Sequence, residues 1–331
     1  MWACGRMHGQ ANDCPRVSIG RARFYLLPIV MIAWFFSPCS LCAASLNGFV
    51  LDNSLIPESE IYHGGPPRDG IPSIDQPRFV TADDAGFIKP LDRVLGIQRQ
   101  GISKAYPVQI LNHHEIVNDH LGTEAILVSY CPLCGSGMAF LAATEGHARV
   151  FGVSGLLYNS DMLFYDRETE SLWSQMKAQA ISGPERGVQL SQIVLEHTSW
   201  QDWRSRHPDT LVLSTDTGYS RDYSRSPYAG YENSPETYFP VSRVDRRYHA
   251  KELVIGLQLD AASKAYPFAE LSRTSGELED KVAGQTVTIR FDAANRSGSV
   301  FTQAGQQLPS TISYWFAWIA FHPETEVYQA P

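Results

Sequence analysis

Two cysteines separated by two residues are the strongest chemical signal in this sequence. Residues 131–135 read Cys-Pro-Leu-Cys-Gly and follow residues 126–130, whose composition predicts a β-strand. The proline stiffens the turn and the glycine permits a positive φ, so both sulfurs should lie on the same side of the turn. This pattern is typical of a metal-binding knuckle, which supplies two thiolates and needs further ligands from elsewhere in the chain.

The best candidate for a third ligand is His114, which lies one predicted strand upstream of Cys131. Antiparallel pairing of the intervening strands would bring its ring towards Cys131 and Cys134, with His113 and Glu115 as supporting groups. Two soft thiolates and an imidazole favour Cu(I) or Zn(II). We therefore predict a copper or zinc site formed by Cys131, Cys134 and His114.

The cysteine pair has two other interpretations. It could form a reversible dithiol–disulfide couple, although residues 135–137 (Gly-Ser-Gly) disfavour the helix that usually follows a reactive C-x-x-C pair. Alternatively, the two cysteines only hold a turn, either buried or joined as a disulfide. The sequence leaves all three interpretations open.

A second polar group consists of Asp161, Asp166 and Arg167. Neighbouring carboxylates can act as acid and base or hold a hard cation, so these residues are supporting candidates for the site. The alternative is a solvated hairpin with an Arg–Asp pair. The sequence has no P-loop, no glycine-rich dinucleotide motif, no serine-hydrolase elbow and no helical zinc-protease motif, so we expect no nucleotide cofactor.

The elements that would position these residues recur along the chain. Residues 94–98 and 103–107 reappear as residues 254–258 and 263–267, and the second pair shares the run Ser-Lys-Ala-Tyr-Pro. A later element with two tryptophans and a His-Pro pair also recurs. This pattern predicts an internal duplication whose second copy has lost about 46 residues.

Only the first copy contains the candidate site residues. At the place of residues 131–135 the second copy has residues 292–296, Asp-Ala-Ala-Asn-Arg, and the segment containing Asp161 and Asp166 has no counterpart. His207 and His322 occupy equivalent positions in both copies, which indicates a structural role for them. Any functional site should therefore lie in the first copy.

Short alternating segments predict many β-strands and a few short helices. We predict a β-rich α+β protein with two tandem pseudo-repeat lobes packed together, the second copy being shortened. The expected organisation is an extended arm at residues 45–90, a first repeat at 91–213, a linker at 214–250 and a second, degenerate repeat at 251–331.

Residues 1–44 have the pattern of a secretory signal peptide. Arg21 and Arg23 precede an apolar run at residues 24–36, which is followed by small residues. We expect cleavage and export to the periplasm; the alternative is an uncleaved anchor that attaches the protein to the inner membrane. The net charge of −8 and the lack of a basic stripe exclude nucleic acid as a partner.

Several motifs together resemble a known family. Residues 130–135 (Tyr-Cys-Pro-Leu-Cys-Gly), residues 114–119, residues 151–155, the run at 165–173 and the Trp-Phe-Ala-Trp…His-Pro-Glu-Thr ending resemble the bacterial family called domain of unknown function 3179. The resemblance covers most of residues 85–328. It implies an exported or envelope-attached bacterial protein and supplies no established activity.

The resulting functional prediction is an exported protein that binds copper or zinc, either for metal handling or as a metal-dependent centre. The alternatives are a periplasmic thiol–disulfide oxidoreductase and a non-catalytic binding or assembly module. The expected partner is a small molecule or an envelope protein. The sequence leaves open whether the protein is an enzyme.

Overall fold

Short strands joined by tight turns make up most of the protein in the computed structural model, which describes residues 45–144 and 146–331. The hairpin formed by Arg93–Arg99 and Ile102–Pro107 shows how the sequence produces them. Its two turn residues, Gln100 and Gly101, both have positive φ, as a two-residue hairpin loop requires. The strand predicted at residues 93–98 is confirmed as Arg93–Arg99, whereas its partner Ile102–Pro107 was not predicted.

Five small sheets form a five-bladed β-propeller arrangement. In sheet order, blade 1 contains Glu196–Ser199, Arg93–Arg99, Ile102–Pro107, Leu211–Leu213 and Phe79–Thr81. Blade 2 contains Gln192–Ile193, Ser136–Leu141, Glu124–Cys131 and Ile116–Leu121. Blade 3 contains Gln179–Ser182, Leu172–Ser174, Asp161–Asp166, Phe151–Tyr158 and Ile61–His63.

The remaining blades come from the C-terminal part of the chain. Blade 4 contains Thr311–Tyr314, Leu253–Leu259, Ala262–Pro267 and Glu326–Val327. Blade 5 contains Glu277–Val282, Gln285–Asp292, Ser297–Thr302 and Gln307–Leu308. Two further hairpins pair Ser45–Leu46 with Phe49–Val50 and Ala143–Thr144 with His147–Ala148.

The α-helices in the described residues are short and lie next to strands. They are α1 (Val108–His114), α2 (Trp200–Arg206), α3 (Phe268–Leu271) and α4 (Trp315–Phe321). Single 3₁₀ turns occur at Glu58–Glu60 and Tyr231–Asn233. None of the helices in this part of the chain has the length and apolar character needed to cross a membrane. The predicted signal or anchor segment, residues 1–44, lies outside the described residues.

The predicted α+β architecture with two tandem lobes is wrong. Residues 91–213 contribute strands to blades 1, 2 and 3, whereas residues 251–331 form blades 4 and 5. Each group of four or five strands is too small to form a lobe, and it buries its faces by packing against other blades. The arm at residues 45–90 also contributes strands, Ile61–His63 to blade 3 and Phe79–Thr81 to blade 1.

Blades 1 and 4 have closely similar local structure. In both, a tryptophan of the adjoining helix covers a strand glycine and donates from its indole nitrogen to a threonine hydroxyl: Trp203 to Thr210 at 2.9 Å, and Trp318 to Thr325 at 3.0 Å. His207 and His322 each pack against the tryptophan of their own helix, with ring centroids 4.1 and 3.8 Å apart. These contacts give both histidines a packing role.

The largest hydrophobic core lies where blades 2, 3 and 4 meet. It contains Phe140 from blade 2, Phe164 and Trp173 from blade 3, and Trp315 and Trp318 from α4. The two cysteines of residues 131–135 belong to this same core. The candidate site is therefore surrounded by close-packed apolar groups that hold its side chains in place.

Candidate metal centre

The cysteine turn connects two strands of blade 2. Cys131 ends the strand Glu124–Cys131 and pairs with Ser136 in the next strand. The Cys134 N–H donates to the Cys131 carbonyl at 3.2 Å, which closes the turn. Gly135 has φ +60°, and a Cβ atom there would lie 3.0 Å from the Tyr314 ring. The sequence prediction of a tight glycine-ended turn is confirmed.

Both thiols are free and point towards a hairpin of blade 3. That hairpin turns at Asn159 and Ser160, which have φ values of 51° and 64°. Its geometry directs the Ser160 carbonyl oxygen at both sulfurs, 3.3 Å from the Cys134 Sγ and 4.0 Å from the Cys131 Sγ. The two blades therefore face each other across the sulfur atoms.

Asp161, the residue after this turn, completes a compact group. One of its carboxylate oxygens and the sulfurs of Cys131 and Cys134 all lie within 4.8 Å of one another. The Met176 N–H donates to Oδ2 at 3.2 Å, and the Ser136 hydroxyl lies 3.4 Å from Oδ1. These contacts orient the carboxylate towards the sulfurs, so three potential metal ligands converge from two blades.

The environment of these three groups is almost fully closed to solvent. Asp161 and Cys134 are 0% exposed and Cys131 is 2% exposed. Burial raises the pKa of Asp161 to about 7, raises the pKa of Cys131, and raises the pKa of Cys134 well above its ordinary value. Burial disfavours the charged forms because it removes them from water.

No ion pair in the described part of the chain involves Asp161. Lys251 is a buried cation, but its Nζ donates to the carbonyls of Ser234 and Glu236 and lies 3.9 Å from the Tyr231 ring centroid. Buried charges in proteins are normally paired or coordinate a metal. Without a cation the two thiols and the carboxyl group are favoured in their neutral forms, whereas a bound cation would allow them to ionise.

His114, the predicted third ligand, lies outside this group. Its Nδ1 is 2.8 Å from the Pro72 carbonyl and its Nε2 is 2.7 Å from the Tyr223 hydroxyl, so both ring nitrogens already have partners. Burial lowers the pKa of His114 to about 4. The neighbouring His113 places its Nε2 3.0 Å from the Arg225 carbonyl. Among the described residues, the structure brings Asp161 rather than a histidine next to the sulfurs.

Of the other supporting candidates, Glu115 is close enough to Asp161 and Cys131 for their charges to interact, whereas Asp166 and Arg167 have separate surroundings. Glu115 is buried at the end of α1, where the Tyr228 hydroxyl donates to its carboxyl at 3.2 Å and burial raises its pKa to about 7. Asp166 lies at the far end of the strand that begins with Asp161, roughly 17 Å away at about 3.4 Å per residue. It accepts from the Trp173 indole N–H at 2.9 Å.

Arg167 forms ion pairs with Asp69 and Asp75 at 3.2 and 3.5 Å. Together with the contacts of Asp166, this places the Arg167 end of the hairpin in the packing of blade 3 rather than beside the cysteines and Asp161. Ser136 and the Ser160 carbonyl contribute to the site and were not predicted from the sequence. The Asn159–Ser160 turn could have been identified from the sequence, because it lies in the segment that the second copy lacks.

Residues 68–308 match the model of the family DUF3179, which is described as a protein of unknown function. The matched region includes the cysteine turn, the Asn159–Ser160 turn and Asp161. The resemblance stated from the sequence motifs is therefore confirmed. No curated protein and no solved structure matches the chain.

Proposed function

This chain belongs to the DUF3179 family, whose function is unknown, and we propose that it binds a zinc ion through Cys131, Cys134 and Asp161. The observation that carries the proposal is the convergence of these three buried acidic groups with no ion-paired cation among the described residues. A divalent ion would neutralise most of their negative charge and allow all three to ionise inside the core.

The ligand set favours zinc over copper. Two thiolates suit both Zn(II) and Cu(I), but a carboxylate oxygen is a common ligand of zinc and a poor one for the softer Cu(I). Three protein ligands leave one tetrahedral position of Zn(II), and the Ser160 carbonyl faces the same place. The close burial suits an ion that is retained by the protein rather than exchanged rapidly.

We also propose that the protein acts in the bacterial periplasm. The support is the N-terminal sequence pattern of a basic flank, an apolar run and small residues. Fractionation of cells that produce the full chain would test the location. Recovery with periplasmic marker proteins is expected, whereas recovery with cytoplasmic markers would contradict the proposal.

Metal analysis of the natively purified full chain tests the zinc site. One zinc per chain is expected, and Cys134→Ser and Asp161→Asn should each reduce the content at least tenfold. Asp166→Asn is the matched control, because it removes a buried carboxylate of the same strand that lies away from the sulfurs. It should retain the ion.

Titration of the chelated protein with Co²⁺ provides a second readout. A thiolate-to-cobalt absorption band should appear in the wild type and in Asp166→Asn, and should be lost in Cys134→Ser. The four cysteines within residues 1–44 are unchanged in every variant, so they cannot account for a difference. A metal content that is below stoichiometry, or that Cys134→Ser leaves unaltered, would refute the site.

A further inference from the structure

A separate cavity of about 230 Å³ lies beside the cysteine turn. Leu133, between the two cysteines, and Met162, after Asp161, form part of its wall, and Val153 and Leu157 of blade 3 continue the apolar surface. The volume equals the share of roughly eight water molecules in the liquid. It is large enough for a single ring with a short substituent.

Glu115 places a carboxyl group in this apolar cavity. It follows the last residue of α1 with a φ of 60°, and it is only 7% exposed. In the described part of the chain the Tyr228 hydroxyl is the sole donor to the carboxyl, at 3.2 Å from Oε1, and no lysine, arginine or histidine pairs with it. One carboxyl oxygen is therefore left without a partner.

Aromatic side chains line the same cavity. Tyr228, Tyr238 and Phe239 all belong to residues 214–250, which pack against blade 3 at this point. Tyr238 is 62% exposed, so the cavity reaches solvent beside it. The faces of aromatic rings carry negative electrostatic potential and attract organic cations. An unpaired carboxyl group and aromatic rings within apolar walls together fit a ligand with one positive charge and an apolar body.

We propose that this cavity binds a small apolar amine whose ammonium group pairs with the Glu115 carboxylate. The apolar part of the ligand contacts Val153, Leu157 and Met162, and the ammonium group lies between Glu115 and the aromatic side chains. This site uses none of the three proposed zinc ligands and does not require the ion. It adjoins them, because Leu133 and Met162 line the cavity and the charge of Glu115 interacts with those of Asp161 and Cys131. Both parts of the ligand contribute to its affinity. Burial of the apolar ring is favourable, and the ammonium group supplies a positive counter-charge to the buried carboxylate.

Calorimetric titration of the full chain with benzylamine, and with benzyl alcohol as the uncharged analogue, tests the proposal. Benzylamine should bind at least tenfold more tightly than benzyl alcohol at pH 7.5. Glu115→Gln preserves the size of the side chain and its ability to accept from Tyr228, and it should reduce the difference between the two ligands to less than threefold.

Tyr238→Leu provides an independent variant at an exposed position. It should weaken benzylamine binding severalfold and leave benzyl alcohol nearly unaffected. Cys134→Ser should still bind benzylamine more tightly than benzyl alcohol, which separates this proposal from the zinc site. Equal binding of the two ligands by the wild type, or no binding of either, would overturn the amine site.

Discussion

The Cys134 sulfur lies 3.3 Å from the Ser160 carbonyl oxygen, a contact between residues 26 positions apart and on different blades. It depends on two local conformations. Gly135 has a positive φ that ends the cysteine turn, and Asn159 and Ser160 have positive φ values that form the facing hairpin turn. Neither turn alone would create the site, because the sulfurs and the carboxylate come from different sheets.

Ser160 provides a direct test of the hairpin turn. Ser160→Gly should retain zinc, because glycine adopts a φ near 64° without strain and the carbonyl oxygen remains. Ser160→Val should lower the zinc affinity at least tenfold, because a β-branched residue at this φ costs roughly 1–3 kcal/mol and displaces the turn. Competition with a chromogenic chelator measures both affinities. Equal affinities in the two variants would show that the turn conformation is unimportant for the site.

Metal binding should release protons. Burial raises the pKa of both thiols, so the metal-free protein carries protonated cysteines at pH 7, and zinc must displace about two of these protons. Asp161, with a pKa raised to about 7, is partly protonated at pH 7 and releases a fraction of a third proton. Calorimetry in buffers of different ionisation enthalpy measures the number released. A binding enthalpy that is the same in all buffers would contradict the use of thiolate ligands.

The same two cysteines should react slowly with alkylating agents in the native protein. Their burial and raised pKa leave little accessible thiolate, so alkylation by iodoacetamide at pH 8 should be at least about 100-fold slower than in urea. Mass spectrometry of the peptide that contains residues 131–134 distinguishes them from other cysteines. Rapid labelling without denaturant would instead favour the thiol–disulfide oxidoreductase interpretation.

Two glycines covered by tryptophans should be intolerant of substitution. A Cβ atom at Gly96 would lie 2.3 Å from the Trp203 ring, and one at Gly256 would lie 2.1 Å from the Trp318 ring. Each alanine variant should lower the free energy of unfolding by about 1–3 kcal/mol through overpacking, as measured by urea denaturation.

Gly86→Ala is the control for these variants, because nothing lies within 4 Å of its added Cβ atom. Its effect should stay within about 0.5 kcal/mol. If the two covered glycines tolerated alanine as well as Gly86 does, the packing of both tryptophans on blades 1 and 4 would be wrong.

Acid should destabilise the protein partly through His197. Burial lowers its pKa to about 3, with Arg93 adding to the shift, and the Gly137 N–H donates to its Nε2 at 3.2 Å. Below pH 6.5 the unfolded chain binds a proton at this residue that the folded protein does not. The contribution of His197 to stability is therefore complete above pH 6.5 and is lost progressively as the pH falls towards 3.

Comparison with His197→Gln isolates this contribution. Between pH 6 and pH 4 the wild type should lose about 1 kcal/mol more per pH unit than the variant, as measured by urea denaturation at several pH values. The other titrating groups are common to both proteins, so they cancel in the difference. Parallel pH profiles would contradict the role assigned to His197, whatever the absolute stability of the variant.

The sequence predicts local structure better than architecture. The many short strands and the few short helices that the sequence predicts are present, and the hairpin of Arg93–Arg99 with Ile102–Pro107 and helix α2 (Trp200–Arg206) are examples. The blades could not be predicted, because their number depends on which sheet faces pack together. Residues that recur along a chain indicate repeated structure without showing whether each copy folds as one sheet or as two.

The candidate site was predicted only in part for the same reason. Cys131, Cys134 and the turn between them are local features of the sequence. His114 was favoured as the third ligand because it is nearer in the chain, whereas Asp161 reaches the sulfurs only through packing of blade 3 on blade 2. A distance between blades is set by tertiary contacts and leaves no spacing pattern in the sequence.

The candidate metal ligands come from two different blades, so they come together in a fixed order as the protein folds. A chain that is still extended offers incoming ions only the two sulfurs of residues 131–134, which any thiophilic metal can take. The carboxylate of Asp161 joins them only after the two sheets have docked. Discrimination between zinc and softer competitors would thus be acquired late in assembly, and a chain supplied with metal before that point would be open to loading with the wrong ion.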